Sequence, residues 1–300
     1  MINKKRLETM LKKDQGELKW YLINKLKGRG RKVLCKDGFI YSEGSLPVLM
    51  CAHMDTVYQT PPKEITKTKE VYEVIWRSKD GIGGDDRCGI EIILSVIEEG
   101  FDVSIAFLED EEIGGIGAEK FTRWYKEEIE AERIKKPNFI IEVDRQALYE
   151  AVFYSCRNKE FMEFCTKGLF NKKYGSFSDI SVIAPQIDVA AVNVSAGYYF
   201  EHSRDSEFII PEDVNLNLKA VIELLKSADD TEYSYYPDIE DDEEDDFFDN
   251  DLSWLWDWND KDGNNDSDDD HEGASDKIRS WIPERKEKPK KKNKEDENFR

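Results

Sequence analysis

The sequence contains no run of roughly 18 apolar residues, the length a membrane-spanning helix requires. No membrane span is therefore expected. Its opening stretch, MINKKRLETMLKKDQ, lacks the apolar core of a secretory signal. Cysteine is sparse: the five present, Cys35, Cys51, Cys88, Cys156 and Cys165, show no CxxC spacing. An odd number of cysteines in apolar settings points to buried, reduced thiols and a cytoplasmic protein. No internal repeat is visible. Histidine occurs only three times, at 53, 202 and 271.

Positive charge is also in short supply, with 44 basic residues against 65 acidic and a net charge of -21. The imbalance is local. Residues 229–300 carry 27 acidic and 11 basic side chains, whereas residues 1–228 carry 38 and 33. The first 228 residues thus have the balance of an ordinary soluble domain and can bury a sizeable core. Without a basic face, that body is not expected to bind nucleic acid. The remainder contains DIEDDEEDDFFDNDLSWLWDWNDKDGNNDSDDD and then KEKPKKKNK, and is too charged to fold alone. Two readings stand for it. One is a disordered, solubilising acidic tail; the other is an interaction segment for a basic partner, with Phe247, Trp254, Trp256 and Trp258 set among the acids.

Within residues 1–228 the pattern alternates. Apolar positions at helical spacing, from Leu7 through Met10, Leu18 and Leu22 to Leu26, predict one helix over 3–27, ended by Gly28 and Gly30. RKVLCKDGFIYSEG predicts a hairpin around Asp37-Gly38, LPVLMCA a strand buried on both faces, and EVYEVIWRS another strand. Further helices are expected near 88–99, 115–130 and 159–166, and strands at 102–108, at 138–143, over EAVFYS and at 188–194. PEDVNLNLKAVIELLKSA predicts a closing helix with Pro211 at its start. Strands separated by helices imply an α/β fold, a sheet with helices on both faces. Ligands of such sheets gather at the carboxyl ends of the strands.

Five polar motifs fall at that edge. LMCAHMDTV ends a strand in His53 and Asp55; GIGGDDRCG places Asp85 and Asp86 before a helix; AFLEDEEIGG follows a strand with Glu109, Asp110, Glu111 and Glu112. IIEVDRQ supplies Asp144, and SAGYYFEHSRDSEF supplies His202. Taken singly, each has a plain structural explanation: a satisfied histidine, a solvated acidic turn, an N-cap. Together they make a nitrogen and oxygen donor set whose carboxylates would repel one another unless a cation neutralised them. Residues i and i+2 of a strand point the same way, so Asp55 can stand behind His53 and fix its tautomer. Two metals about 3.5–4 Å apart need a bridging group. Asp85 is the candidate, with Gly83 and Gly84 permitting close backbone approach. Of Glu111 and Glu112, one can bind metal while the other moves a proton.

The order H-x-D, G-D-D, D-E-E-I-G, V-D and H resembles the di-zinc exopeptidase superfamily, which includes tripeptidases, bacterial aminopeptidases and glutamate carboxypeptidases. The motifs are AHMDTV, GIGGDDRCGI, EDEEIGGIGA, IEVD and EHSRDSEF, spread over about residues 45–228. GGDDRCGI and DEEIG resemble the tripeptidases most. The resemblance implies a three-layer sandwich with a central mixed, mostly parallel sheet. It implies His53 as a metal ligand supported by Asp55, Asp85 as the bridge with a cis peptide bond to Asp86, and Glu111 as general base. It also implies Glu112 as a ligand, with Asp144 and His202 completing the two sites. Zinc is the default metal, and cobalt or manganese fits the same donors. His271 matches nothing.

The spacing departs from many relatives, which carry an inserted lid of roughly a hundred residues. Only 31 residues separate His53 from Asp85, and 57 separate Asp144 from His202. A lid histidine for the oxyanion is thus in doubt, and Tyr154, Tyr198 and Tyr199 are candidates to replace it. The expected activity is metal-dependent hydrolysis of a short peptide by an aminopeptidase, with Glu109, Asp110 or Glu201 holding a free amine. The rival is an N-acyl amino acid deacylase or carboxypeptidase, with Arg87, Arg145 or Arg204 facing a carboxylate.

Overall fold

The structure is a computed structural model and describes residues 1–237 except 71 and 72. The acidic segment from 238 on, with both of its readings, and His271 lie outside the described residues.

In chain order the elements are α1 (Lys4–Leu11), α2 (Gln15–Lys27), β1 (Leu34–Lys36), β2 (Phe39–Ser42), β3 (Leu46–His53), β4 (Thr66–Glu70) and β5 (Glu73–Arg77). Then come α3 (Gly84–Glu98), β6 (Val103–Leu108), α4 (Ile116–Glu130), β7 (Phe139–Arg145), β8 (Glu150–Val152), α5 (Lys159–Thr166) and β9 (Asn171–Lys173). The last are α6 (Asp179–Ile187), β10 (Ala191–Ser195), β11 (Tyr198–Tyr199), β12 (Phe208–Ile209) and α7 (Pro211–Ser227).

An eight-stranded sheet runs β1-β2-β6-β3-β7-β10-β8-β9. Its centre, β6-β3-β7-β10, is parallel, and β1–β2, β2–β6 and β10–β8 are antiparallel. Side-chain alternation divides two apolar cores. Val48, Met50 and Ala52 of β3 join a cluster with α1, α2, α3 and α7, while Leu49 and Cys51 join one with α4 and α6. Strands covered on both faces read as unbroken apolar runs, which is why LPVLMCA is legible as buried. The fold is therefore the expected three-layer α/β sandwich with a mixed, mostly parallel sheet.

Four expectations change. The single helix over 3–27 is two helices, because the Asp14 side chain accepts from the Glu17 N–H and starts a new one. The helix expected at 88–99 opens earlier, at Gly84, with Asp85 and Asp86 outside helical geometry. The strand over EAVFYS stops at Val152. Nothing was expected between 166 and 188, yet β9 and α6 lie there; Pro185 inside α6 masks its helical pattern. A second sheet, β11-β12-β5-β4, is also new, being built from strands of two to five residues. Among the described residues no separate lid domain appears. Past Ala228 the chain stays on the body: Tyr233 hydrogen-bonds to Ala190 and Asn138 and stacks on Phe164.

One buried ion pair fixes the N-terminal helices to the layer that carries the site. Arg6 of α1 donates Nε to Glu91 Oε2 at 2.6 Å and Nη2 to Glu91 Oε1 at 2.8 Å, with side chains 4% and 0% exposed. The bidentate geometry satisfies both groups out of water. Arg6→Ala leaves Glu91 charged and unpaired in α3. It should lower the unfolding free energy by about 3–5 kcal/mol, read as a fall in the urea midpoint. A change below about 1 kcal/mol would show that the pair carries no such weight.

Candidate metal centre

The register of the parallel strands builds the site. Cys51 of β3 pairs with Glu142 of β7, so His53 and Asp144 stand two residues further on, side by side at the strand ends. His53 Nε2 lies 3.3 Å from Asp144 Oδ1 and 2.9 Å from Asp85 Oδ1. On the other side of Asp85, His202 Nε2 lies 3.3 Å from its Oδ2 and 3.0 Å from Glu112 Oε2. Asp85 therefore sits between two histidines, each of which has a second carboxylate beside it.

Asp55 ties the two halves together. Its Oδ1 lies 3.2 Å from His53 Nδ1, and its two oxygens accept the N–H groups of Glu111 at 3.1 Å and Glu112 at 3.0 Å. An ionised carboxylate only accepts, so Nδ1–H donates to Asp55, which leaves Nε2, facing Asp85 and Asp144, as the nitrogen a cation would take in place of a proton. The strand-end histidine, its orienting partner and the paired glutamates thus share one anchor. The Asp85–Asp86 peptide bond is cis, and Asp110 and His202 hold left-handed backbone at φ 61°. Left-handed non-glycine residues cost of order 1 kcal/mol or more and gather at functional sites.

The electrostatics show what the arrangement demands. Burial raises Asp144 and Asp86 well above the usual carboxylate range, and neighbouring carboxylates push the same way. Burial also lifts Glu111, to about 7, helped by Asp85 and Glu112. Burial would raise Asp85 too, but hydrogen bonds from His202 and His53 hold it low. His202 is pushed up to about 11 by Asp85 and then Glu112. Burial works to lower His53, yet Asp144, Asp55 and Asp85 keep it well above its ordinary value. Glu112 Oε1 and Asp86 Oδ2 are buried without a partner. Two like charges 4 Å apart cost about 4 kcal/mol at an effective dielectric of about 20, so this crowding needs protons or a cation.

A metal ion fits the donors. Single ligand atoms of His53, Asp85 and Glu112 lie within 4.8 Å of one another, as do those of His53, Asp86 and Asp144. Asp86 is the weaker donor of these, because its Oδ1 already accepts the Gly89 N–H at 2.9 Å. Gly89 must be glycine here: a Cβ would overlap the Val143 carbonyl and Asp86.

No protein-family model matches the sequence, and no curated protein does. Solved structures do match. Aminopeptidase PepT from Bacillus cereus aligns with a TM-score of 0.58 at 15% identity, over 75% of this chain and 99% of that one. A tripeptidase from Staphylococcus aureus gives 0.55 at 15% identity, over 75% and 98%. A glutaminyl cyclase from Porphyromonas gingivalis gives 0.51 at 13%, over 73% and 95%. The fold is that of these aminopeptidase and tripeptidase structures. At these identities the likeness speaks for the fold alone.

On that fold, His53, Asp55, Asp85, Glu111, Glu112, Asp144 and His202 all meet in one place. Of the tyrosines, Tyr198 reaches the donors themselves, its hydroxyl lying 3.3 Å from Asp144 Oδ1. Tyr198 donates to the Asp144 carbonyl at 2.7 Å, Tyr199 to Asp213 at 2.7 Å, and Tyr154 accepts from Asn193 at 3.0 Å. Several residues beside the site had no expected role. Glu142 and Asp179 are fully buried, with Glu142 Oε1 and both Asp179 oxygens unpartnered, and Ser178 donates to Glu142. A polar residue two before Asp144 in an otherwise apolar strand was the available signal for Glu142. Ser178 and Asp179 were hidden with α6.

Without a cation the raised groups set the pH response. Acids lifted in the folded state, Glu111 among them at about 7 against 4.5 unfolded, contribute stability below the unfolded value and lose it as pH rises to 7. The raised histidines act in the same direction above pH 6.5. Chelator-treated protein should therefore lose stability from pH 4.5 to 8. Added Zn²⁺ or Co²⁺ should restore it, by about 2.7 kcal/mol at a hundredfold excess over Kd. Thermal melts across that range would contradict the site if metal left them unmoved.

Proposed function

We propose that the chain is a metal-dependent exopeptidase, most simply an aminopeptidase, acting on short peptides with two divalent cations. The observation that carries this reading is Asp85 placed between His53 and His202. His53, Asp85 and Asp144 would hold one cation, and Asp85, Glu112 and His202 the other. Zinc is the default for these donors, and cobalt or manganese fits them. Two such ions would acidify a water molecule and polarise a scissile carbonyl.

The chain's own residues divide the remaining work. Glu112 touches His202, whereas Glu111, half-buried beside it and anchored through its N–H to Asp55, is suited to accept a proton from water and return it to the leaving amine. Asp55 keeps His53 in one tautomer and fixes the backbone of both glutamates. A cavity of about 310 Å³ adjoins Asp55, Gly83 and Arg87, at the small end of the about 300–1,000 Å³ range for ligand sites.

The contacts favour a free amine over a carboxylate in the substrate. Glu109 is taken by Lys19 at 2.6 Å, and Asp110 by Gln15 at 2.9 Å. Glu201, next to His202, keeps a buried Oε2 without a partner and is the acid that supports amine binding. Of the arginines that would serve a carboxylate, Arg87 donates to the Asp55 carbonyl and Arg145 pairs with Glu150 at 3.0 Å; Arg204 is exposed. The same fold carries a glutaminyl cyclase, so the site rather than the architecture must decide the reaction.

Glu111→Gln should bind metal normally and lose about 10²–10⁴-fold in peptide turnover. Full turnover in that variant would remove Glu111 as the base. On a panel of aminoacyl and N-acyl substrates, the wild-type protein should cleave those with a free amine. Glu201→Gln should raise KM for these alone. Preference for N-acyl amino acids would favour the deacylase reading instead.

A further inference from the structure

Glu207 is buried at 1% exposure, five residues after His202, and has no part in the donor set. Its carboxylate spans the segment that leads into Asp85. Oε2 accepts the Gly83 N–H at 3.1 Å, and Oε1 accepts the Gly84 N–H at 2.6 Å and the Asp85 N–H at 3.4 Å. The local sequence is cut to admit it. Gly83 is left-handed at φ 66°, and a Cβ on Gly84 would lie 2.7 Å from Tyr198 Cβ and 3.3 Å from Glu207 Oε1. Glu207 is itself held in a tight turn with the histidine loop, since its N–H bonds to the Ser203 carbonyl at 2.7 Å.

We infer that Glu207 is a positioning residue that fixes the Asp85 loop and the His202 loop to each other, and so sets the second cation site. Asp85 and His202 come from segments more than a hundred residues apart and touch at 3.3 Å. Besides the contact of Asp85 with His202 itself, the Glu207 carboxylate ties their loops together through three backbone N–H groups. A carboxylate is the right acceptor for adjacent N–H groups at the start of a helix. An amide is not, because one of its two ends would present a donor to a donor. The first cation site, by contrast, takes His53 and Asp144 from neighbouring strands that the sheet aligns without help.

This inference rests on the reading of two cation sites, and the test separates the two ideas. Full-length wild type, Glu207→Gln and Glu207→Asp are stripped with chelator and titrated with Co²⁺ alone. Stoichiometry, the visible absorption of bound Co²⁺, and kcat and KM on an aminoacyl anilide are then measured. Wild type should take up two equivalents; fewer would sink the two-site reading itself. Glu207→Gln should keep the first equivalent and bind the second about 10–100-fold more weakly, with an altered spectrum. Its kcat should fall while KM holds. If Glu207→Gln does not fold, Glu207→Asp, which keeps the charge on a shorter arm, carries the same comparison. Variants that melt earlier yet bind both equivalents with the wild-type spectrum and kcat would overturn the inference and leave Glu207 a helix cap.

Discussion

The structure depends on one constraint: carboxylates crowded together at one end of the sheet must be compensated. Asp85, Asp86 and Asp144 are drawn together with Glu111 and Glu112 at the end of a parallel sheet, and only two imidazoles stand among them. Protons or cations have to balance that charge, and everything around the pocket arranges how. Parallel strands set His53 and Asp144 level with each other. The cut-down glycine loop brings Asp85 in edge-on. Asp55 answers the backbone of both glutamates with a single side chain.

Much of this was legible because strand periodicity is rigid. His53 closes β3, and Asp55, two residues on and just past the strand, still reaches its Nδ1 as the i, i+2 spacing suggested. The apolar run at 48–52, and the one at 139–143 broken only by Glu142, read as buried strands with polar ends. What stayed hidden depended on long-range packing or on very short elements. Pro185 disguised α6, and with it Ser178 and Asp179. Of the second sheet only β5 was legible; β11 and β12, two residues each, are too short for any period to show, so the setting of Glu207 could not be read. The first helix was read as one because Leu11 and Leu18, seven residues apart across the break, still fall on one helical face.

The tyrosines teach a different lesson. Tyr154, Tyr198 and Tyr199 stood close to the motifs in sequence, and they are close to the site in space. Yet each hydroxyl has a partner in the scaffold. Proximity along the chain found the neighbourhood and said nothing of which way a hydroxyl points. The carboxylates were easier, because their roles follow from charge, which acts over distance.

The Arg6–Glu91 pair has a mechanical consequence. Glu91 lies less than two turns along α3 from Asp85, in the helix whose first residues carry the shared carboxylate. The amino-terminal helix is thus tied to the helix that leaves the Asp85–Asp86 turn. Loosening one end would be felt at the other, so displacement of that turn on heating and release of the first helix would be two faces of a single event.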